Sequence, residues 1–286
     1  MILIVNKMKI VDCFCFYNEL DLLNYRFTIL DRIVDYFVLV ESTHTYAGKQ
    51  KDLIYQNNKD MFQQFNHKII HIVVDDLPYK YPNINYDNGY EGNQWHNERY
   101  QTNCIERGIK QLSLVYEDII IISDLDELPD PNTLNRVKNE EISIISNSLS
   151  MDMYYYNLNS KKGYKWNASK ILLYGLFKLI LDNNLTCSDI RLNEIKALTN
   201  YTYSIPNGGW HLSYFGDVHF IKNKLEQFSH QEYNTNEYTN IENIQHRISN
   251  NLDLFERPNE NTISISISEN TYLPPQYEKL QKFILY

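Results

Sequence analysis

Apolar positions in the first 130 residues fall into short blocks with two different periods. Lys9 to Phe16, Asp35 to Val40 and Lys68 to Val74 are brief apolar runs, and Ile119 to Ile122 is an unbroken β-branched run. Runs of this length read as strands. The isoleucine run, apolar at every position, reads as a strand covered on both faces of a parallel sheet. Glu19 to Ile33 carries Leu20, Leu23, Phe27, Leu30 and Ile33 at helical spacing, and Trp95 to about Val115 predicts a second helix. Strands that alternate with helical or irregular crossovers predict a Rossmann-like half with parallel pairing. Leu77 to Gln94, rich in Tyr, Asn, Pro and Gly, is expected to be a long surface loop and a candidate lid.

Each of the four strands ends in polar or acidic residues: Asn18 and Glu19, Glu41, Asp75 and Asp76, then Asp124 and Asp126. One such end is an ordinary cap or turn. Four at one edge of a sheet form the floor of a site, since ligands of open α/β sheets bind at the carboxyl ends of the strands. The last end, Ser123-Asp-Leu-Asp-Glu-Leu-Pro129, is the most acidic, and Pro129 and Pro131 are expected to leave Asp124, Asp126 and Glu127 in a loop. Three carboxylates crowded there repel one another unless a cation or protons compensate. A hard divalent cation that keeps positions open for phosphate oxygens meets that need. The alternative for Asp-x-Asp alone is a solvated turn. No glycine-rich loop follows the first strand, which argues against a dinucleotide fingerprint or a P-loop.

Beyond Pro131 the pattern loosens. Ser143 to Leu158 reads as a strand with aromatic side chains, and Val218 to Ser229, Tyr238 to Asn250 and the tail Pro274 to Tyr286 read as helices. Gly208-Gly-Trp-His-Leu-Ser-Tyr-Phe-Gly-Asp217 combines two glycines, which permit close backbone approach, with Trp210, His211 and Tyr214 as an aromatic wall carrying an imidazole. No repeat or linker divides the chain. The expectation is one domain with two functional halves (about 9–130 and about 131–255) and a tail (256–286).

The 286 residues suffice for a sizeable core. A net charge of −9 argues against a nucleic-acid binder. The 24 tyrosines suit sugar stacking, but AT-rich coding, which also favours Asn and Ile, explains them better. Cys13, Cys15, Cys104 and Cys187 show no metal-like spacing; Cys13 and Cys15 fall on one face of a strand as small apolar residues, consistent with a reducing compartment. Met1 to Lys9 is too short and too soon charged for a signal peptide or membrane anchor, so a cytoplasmic protein without a transmembrane segment is expected. The glycosylation patterns at Asn167, Asn184 and Asn200 then carry little weight.

Asn18-Glu-Leu-Asp-Leu-Leu, Asp35-Tyr-Phe-Val-Leu-Val-Glu-Ser-Thr-His-Thr-Tyr-Ala-Gly-Lys49, Ser123-Asp-Leu-Asp-Glu-Leu-Pro and Gly209-Trp-His-Leu-Ser-Tyr-Phe-Gly, in this order and spacing, resemble glycosyltransferase family 17. The resemblance runs from about Lys9 to Leu254-Phe-Glu-Arg-Pro. It implies a GT-A-type fold with a nucleotide-sugar-binding half (about 9–130) and an acceptor half (about 131–255), a nucleotide-sugar donor (UDP-N-acetylglucosamine in characterised members), Mn²⁺ or Mg²⁺, and inversion at the anomeric carbon. Animal members carry an anchor and stem; this chain is more similar to compact microbial or viral members, whose acceptors include lipid- or polysaccharide-linked sugars.

On that resemblance Asp126 is the expected direct metal ligand, and Asp124 reaches the metal through water or touches the ribose. His211 is either a further ligand or diphosphate contact, or a core histidine beside Trp210. Inversion requires a base facing the acceptor hydroxyl. Glu127, then Asp217, then Glu232 are the candidates, although Glu127 also suits a supporting role and Asp217 a helix cap. Glu19 and Glu41 are expected to face the nucleoside, and Lys49 and Arg99 to neutralise phosphate charge; a surface ion pair is the alternative for Arg99. Trp210 and Tyr214 are expected to form the acceptor platform. A phosphotransferase of the haloacid-dehalogenase type is disfavoured, because Asp-x-Asp follows the fourth strand and precedes Glu-Leu-Pro. A sugar-binding protein without turnover is the other alternative.

Overall fold

The structure is a computed structural model that describes residues 8–86, 91–195, 203–258, 260 and 262–285. Met1 to Lys7, residues 87–90 of the expected loop, the pattern at Asn200 and the terminal Tyr286 lie outside the described residues.

Four strands, β1 (Ile10–Phe16), β2 (Tyr36–Ser42), β3 (Ile69–Val74) and β4 (Ile119–Asp124), pair in parallel in the order β4-β1-β2-β3. The four blocks read from the sequence are therefore strands. Alternation sends Ile10, Phe14, Phe37, Leu39, Ile119 and Ile121 into one apolar cluster. Val11, Cys13, Cys15, Val38, Val40, Ile120 and Ile122 enter a second cluster on the opposite face. Helix α1 (Leu20–Leu30) covers the first face with Leu22, Leu23, Phe27 and Leu30. The second face is covered by Ile105 and Ile109 of α4 (Ile105–Ile109) and by Phe177 and Ile180 of α6 (Tyr174–Asp182). Between β2 and β3 lies α2 (Ile54–Asn58). The helix expected over Trp95 to Val115 is α3 (Asn93–Asn103) followed by α4, with a break at Cys104 and an end at Ile109.

The second half overturns the expectation of a mostly parallel sheet. Strands β5 (Glu127–Pro129), β6 (Ser146–Tyr155), β7 (Ser160–Trp166), β8 (Lys170–Leu173), β9 (Ser204–Ser213) and β10 (Ile263–Ser264) extend the same sheet, with α5 (Pro131–Lys138) after β5. Among the described residues this makes ten strands, and the joint with the first half, β4·β8, is antiparallel. β6·β7, β6·β8, β7·β10 and β5·β9 are antiparallel as well, while β6·β9 is parallel. The expectation failed because β6 and β7 are joined by a four-residue turn, and so short a link can only reverse the chain. A third apolar cluster joins Tyr155 and Tyr214 to Ile221 and Leu225 of α8 (Val218–Gln227) and Ile244 and Ile248 of α10 (Ile241–Ser249). The segment expected as a single helix over 238–250 is divided at Asn240, whose side chain caps α10. It separates α10 from the short α9 (Asn236–Thr239). The tail is a 3₁₀ helix, Tyr277–Leu285. All four cysteines are buried and free, and no described helix is long and apolar enough to cross a membrane.

Candidate active site

The strand ends have separate fates. β1 and β4 are neighbours, and their ends open on a cavity of about 430 Å³ lined by Glu19, Asp124 and Asp126. The acidic residues at the ends of β2 and β3 do not line it, although His44, Thr45 and Tyr46, which follow β2, do. Glu41 is fully buried and accepts from the amides of Tyr55 (2.9 Å) and Gln56 (3.3 Å), and it contacts His71 at 3.1 Å. A carboxylate at the first turn of α2 is stabilised by that helix end, so Glu41 serves the scaffold and does not face the cavity. Asp76 pairs with Arg107 at 2.7 Å.

Asp124 remains within β4, and Glu127 begins β5, so only Leu125 and Asp126 form the turn that was expected to hold all three carboxylates. Arg26 of α1 shapes this turn. Its guanidinium is fully buried, forms a two-pronged pair with Asp12 (2.8 and 2.6 Å), and donates to the carbonyls of Asp124, Leu125 and Glu127 at 2.9, 3.0 and 2.8 Å. The sequence signal for Arg26 was a lone charge inside the apolar stripe of Leu22, Leu23, Phe27 and Leu30.

Mutual repulsion among the acidic groups is relieved by basic side chains of this chain. Arg191, from α7 (Cys187–Arg191), reaches Asp124 at 2.5 Å and grips Glu127 at 2.7 and 2.8 Å. Lys224 of α8 lies 2.9 Å from Asp126 and 3.6 Å from Glu19. Neither cation was anticipated, because each sits on a helix with no local sign of what it faces. Burial alone would raise Glu127, but Arg191 outweighs it and holds the carboxyl at about 2. For Asp126 burial is likewise outweighed, by Lys224 and His211, and its pKa falls well below the usual range. Asp124 is raised by burial, against Arg191 and with the charges of Glu127 and Asp126 adding to the rise.

β9 explains the fate of the glycine-tryptophan-histidine segment. Gly209 adopts φ +141°, and a Cβ there would collide with the Leu128 carbonyl; one on Gly208 would meet the backbone of Leu149 and Ser150. The two glycines thus let β9 lie between β5 and β6. The close approach is to backbone and not to a ligand. The register Glu127↔His211 and Leu128↔Trp210 then sends alternate residues to opposite faces. His211 and Ser213 line the cavity, whereas Trp210 is 1% exposed, stacks on Tyr272 at 4.7 Å and donates to its carbonyl. Trp210 is therefore a core residue and not an acceptor platform. The tryptophans that line the cavity are Trp95 and Trp166, the latter 4.7 Å from the His211 ring, and Tyr214 lines the cavity as well. His211 Nε2 lies 3.5 Å from Asp126, and its buried Nδ1 has no partner among the described residues.

The carboxylates expected as the base stand off this wall. Glu127 is 0% exposed and is further bonded by Trp166 (2.5 Å) and Ser169 (2.6 Å), so no acceptor can touch it. Asp217 is exposed and caps α8 through the Phe220 amide at 2.8 Å. Glu232 is exposed and bound to His230 at 2.6 Å. Lys49 is exposed, and Lys51 lines the cavity instead, its position fixed by Glu41 at 3.7 Å and the Tyr17 carbonyl at 3.4 Å. Arg99 does not line the cavity; its neighbour Glu98 does.

Over 116 residues the chain is 30% identical to the human β-1,4-mannosyl-glycoprotein 4-β-N-acetylglucosaminyltransferase; the match takes in 39% of this chain and 20% of that protein. The rat protein of the same name is 28% identical over 125 residues, 42% of this chain and 22% of its own length. The matched segment thus spans about a fifth of these relatives. A mannosyltransferase from Pyrobaculum calidifontis, solved with GDP-Man and Mn²⁺, superposes with a TM-score of 0.44 at 10% identity over 78% of this chain and 62% of its own. A family profile described as Glycosyltransferase family 17 matches residues 3–278. The chain belongs to glycosyltransferase family 17.

Proposed function

We propose that this cleft transfers a sugar from a nucleoside-diphosphate sugar to a glycan hydroxyl, with inversion at the anomeric carbon, in a GT-A-type arrangement. UDP-N-acetylglucosamine is the proposed donor. The observation that carries the proposal is Asp126, held on the cavity wall at the carboxyl end of β4 between Lys224 at 2.9 Å and His211 at 3.5 Å.

Mn²⁺ or Mg²⁺ fits here with two protein ligands. Asp126 Oδ1 and His211 Nε2, 3.5 Å apart, are close enough to share one ion. Asp124 adds no third donor because Arg191 holds it, and the described residues contain no group of three potential ligands. Diphosphate oxygens and water complete such a site. When bound, the ion supplies positive charge against the leaving diphosphate. Lys224 orients Asp126 and adds a second cation beside the same phosphates, and Lys51 brings a third from the nucleotide side. Asp124 faces the donor sugar or ribose. Trp166, Tyr214, Tyr233 and Phe255 offer ring faces for the acceptor.

A panel of nucleotide sugars with Mn²⁺ tests this, read by nucleotide release and by thermal stabilisation. UDP with Mn²⁺ at a hundred times its Kd should stabilise the chain by about 2.7 kcal/mol, and Asp126→Ala should abolish that gain. Binding without transfer or hydrolysis would identify a sugar-binding protein instead.

A further inference from the structure

Sugar transfer with inversion leaves one group unassigned, the acceptor of the attacking hydroxyl's proton. Four carboxylates line the cavity: Glu19, Glu98, Asp124 and Asp126. Three are committed to cations, Glu19 and Asp126 to Lys224 and Asp124 to Arg191. A carboxylate locked in such a pair is a poor proton acceptor, because protonation forfeits the pair. The fourth, Glu98, accepts among the described residues only a hydroxyl hydrogen bond, from Ser229. Its position has a second consequence. Glu98 lies on α3 of the nucleotide half, while Ser229 follows α8 of the other half, so the carboxylate stands at the seam where donor and acceptor must meet.

Resting on the sugar-transfer reading above, we propose that Glu98 is the catalytic base. The acceptor oxygen attacks the anomeric carbon and its proton passes to the Glu98 carboxylate. The bond from that carbon to the phosphate oxygen breaks, and its electron pair leaves with the nucleoside diphosphate. Atoms and charge balance without a further reactant. Burial, then the charge of Asp124, pushes Glu98 up to about 7, with Ser229, Arg191 and Arg99 opposing the rise. Cys15 and Tyr46 also face it, and burial keeps both neutral by pushing them far up. A base with that value serves near neutral pH.

The test uses the whole chain with UDP-N-acetylglucosamine and Mn²⁺, and compares water with azide as nucleophile. Water must lose a proton and azide has none. Glu98→Gln should lower donor hydrolysis by about 10²–10⁴-fold, while donor-induced thermal stabilisation and glycosyl azide formation persist. Hydrolysis by the unmodified chain should rise as pH passes about 7, since the base must be ionised, and Glu98→Gln should remove that rise. Hydrolysis by Glu98→Gln within a few-fold of the unmodified chain, or loss of the azide product along with it, would overturn the assignment. Failure of the donor to stabilise even the unmodified chain would overturn the sugar-transfer reading itself, and the assignment with it.

Discussion

Two buried ionic clusters meet at the 124–127 turn and do different work. Around Arg26, every guanidinium N–H is used: two on Asp12, one on Ser123, and the remainder on three carbonyls of the 124–127 turn. Around Asp126, one carboxylate oxygen meets Lys224, the other has only a 3.5 Å approach from His211, and that ring keeps a buried nitrogen with no partner among the described residues. Both clusters are charged and buried. What separates scaffold from site is unused hydrogen-bonding capacity next to open space. The saturated cluster fixes the turn so that the unsaturated one points into the cleft.

The largest expected effect falls on the saturated cluster. Arg26→Met leaves Asp12 buried without its partner and should cost about 3–5 kcal/mol of stability in urea unfolding. Arg26→Lys should recover part of that stability but little activity, since an ammonium cannot span Asp12 and three carbonyls together. Full stability in Arg26→Met would show that the clamp is dispensable. Next comes Asp126→Asn, which keeps shape and removes charge. It should lower transfer on the order of 10²–10³-fold with the fold intact, and an unchanged rate would make this second cluster scaffold as well. The smallest effect belongs to Asp217→Ala, outside both clusters. Loss of a helix cap should cost about 1 kcal/mol in thermal unfolding, with transfer reduced only as far as α8 carries Lys224 out of position. A large loss of turnover without loss of stability would return Asp217 to the list of bases.

How much of this was legible depended on distance along the chain. The four parallel strands follow from local pattern, because a run such as Ile119 to Ile122 can be buried at every position only when both faces are covered. The acidic ends of β1 and β4 were legible as site residues for the same reason. Glu41 was not separable from them, since the short helix that captures it appears only as five residues of ordinary composition. Trp210 and His211 are adjacent in sequence and cannot share a face once β9 pairs with β5. Which of them enters the core depends on a one-residue choice of register that the residues themselves do not declare.

By itself the sequence determined the four parallel strands, the acidic turn after the isoleucine run and the family, because each rests on neighbours within about ten residues or on motif order. Tertiary structure alone decided that Arg191 and Lys224 neutralise the turn, that Trp166 takes a wall position expected of Trp210, and that Glu98 forms no ion pair among the described residues. Each outcome depends on how distant helices and strands pack against β4, and Coulomb energies and hydrogen bonds respond to separation in space, to which distance along the chain is no guide.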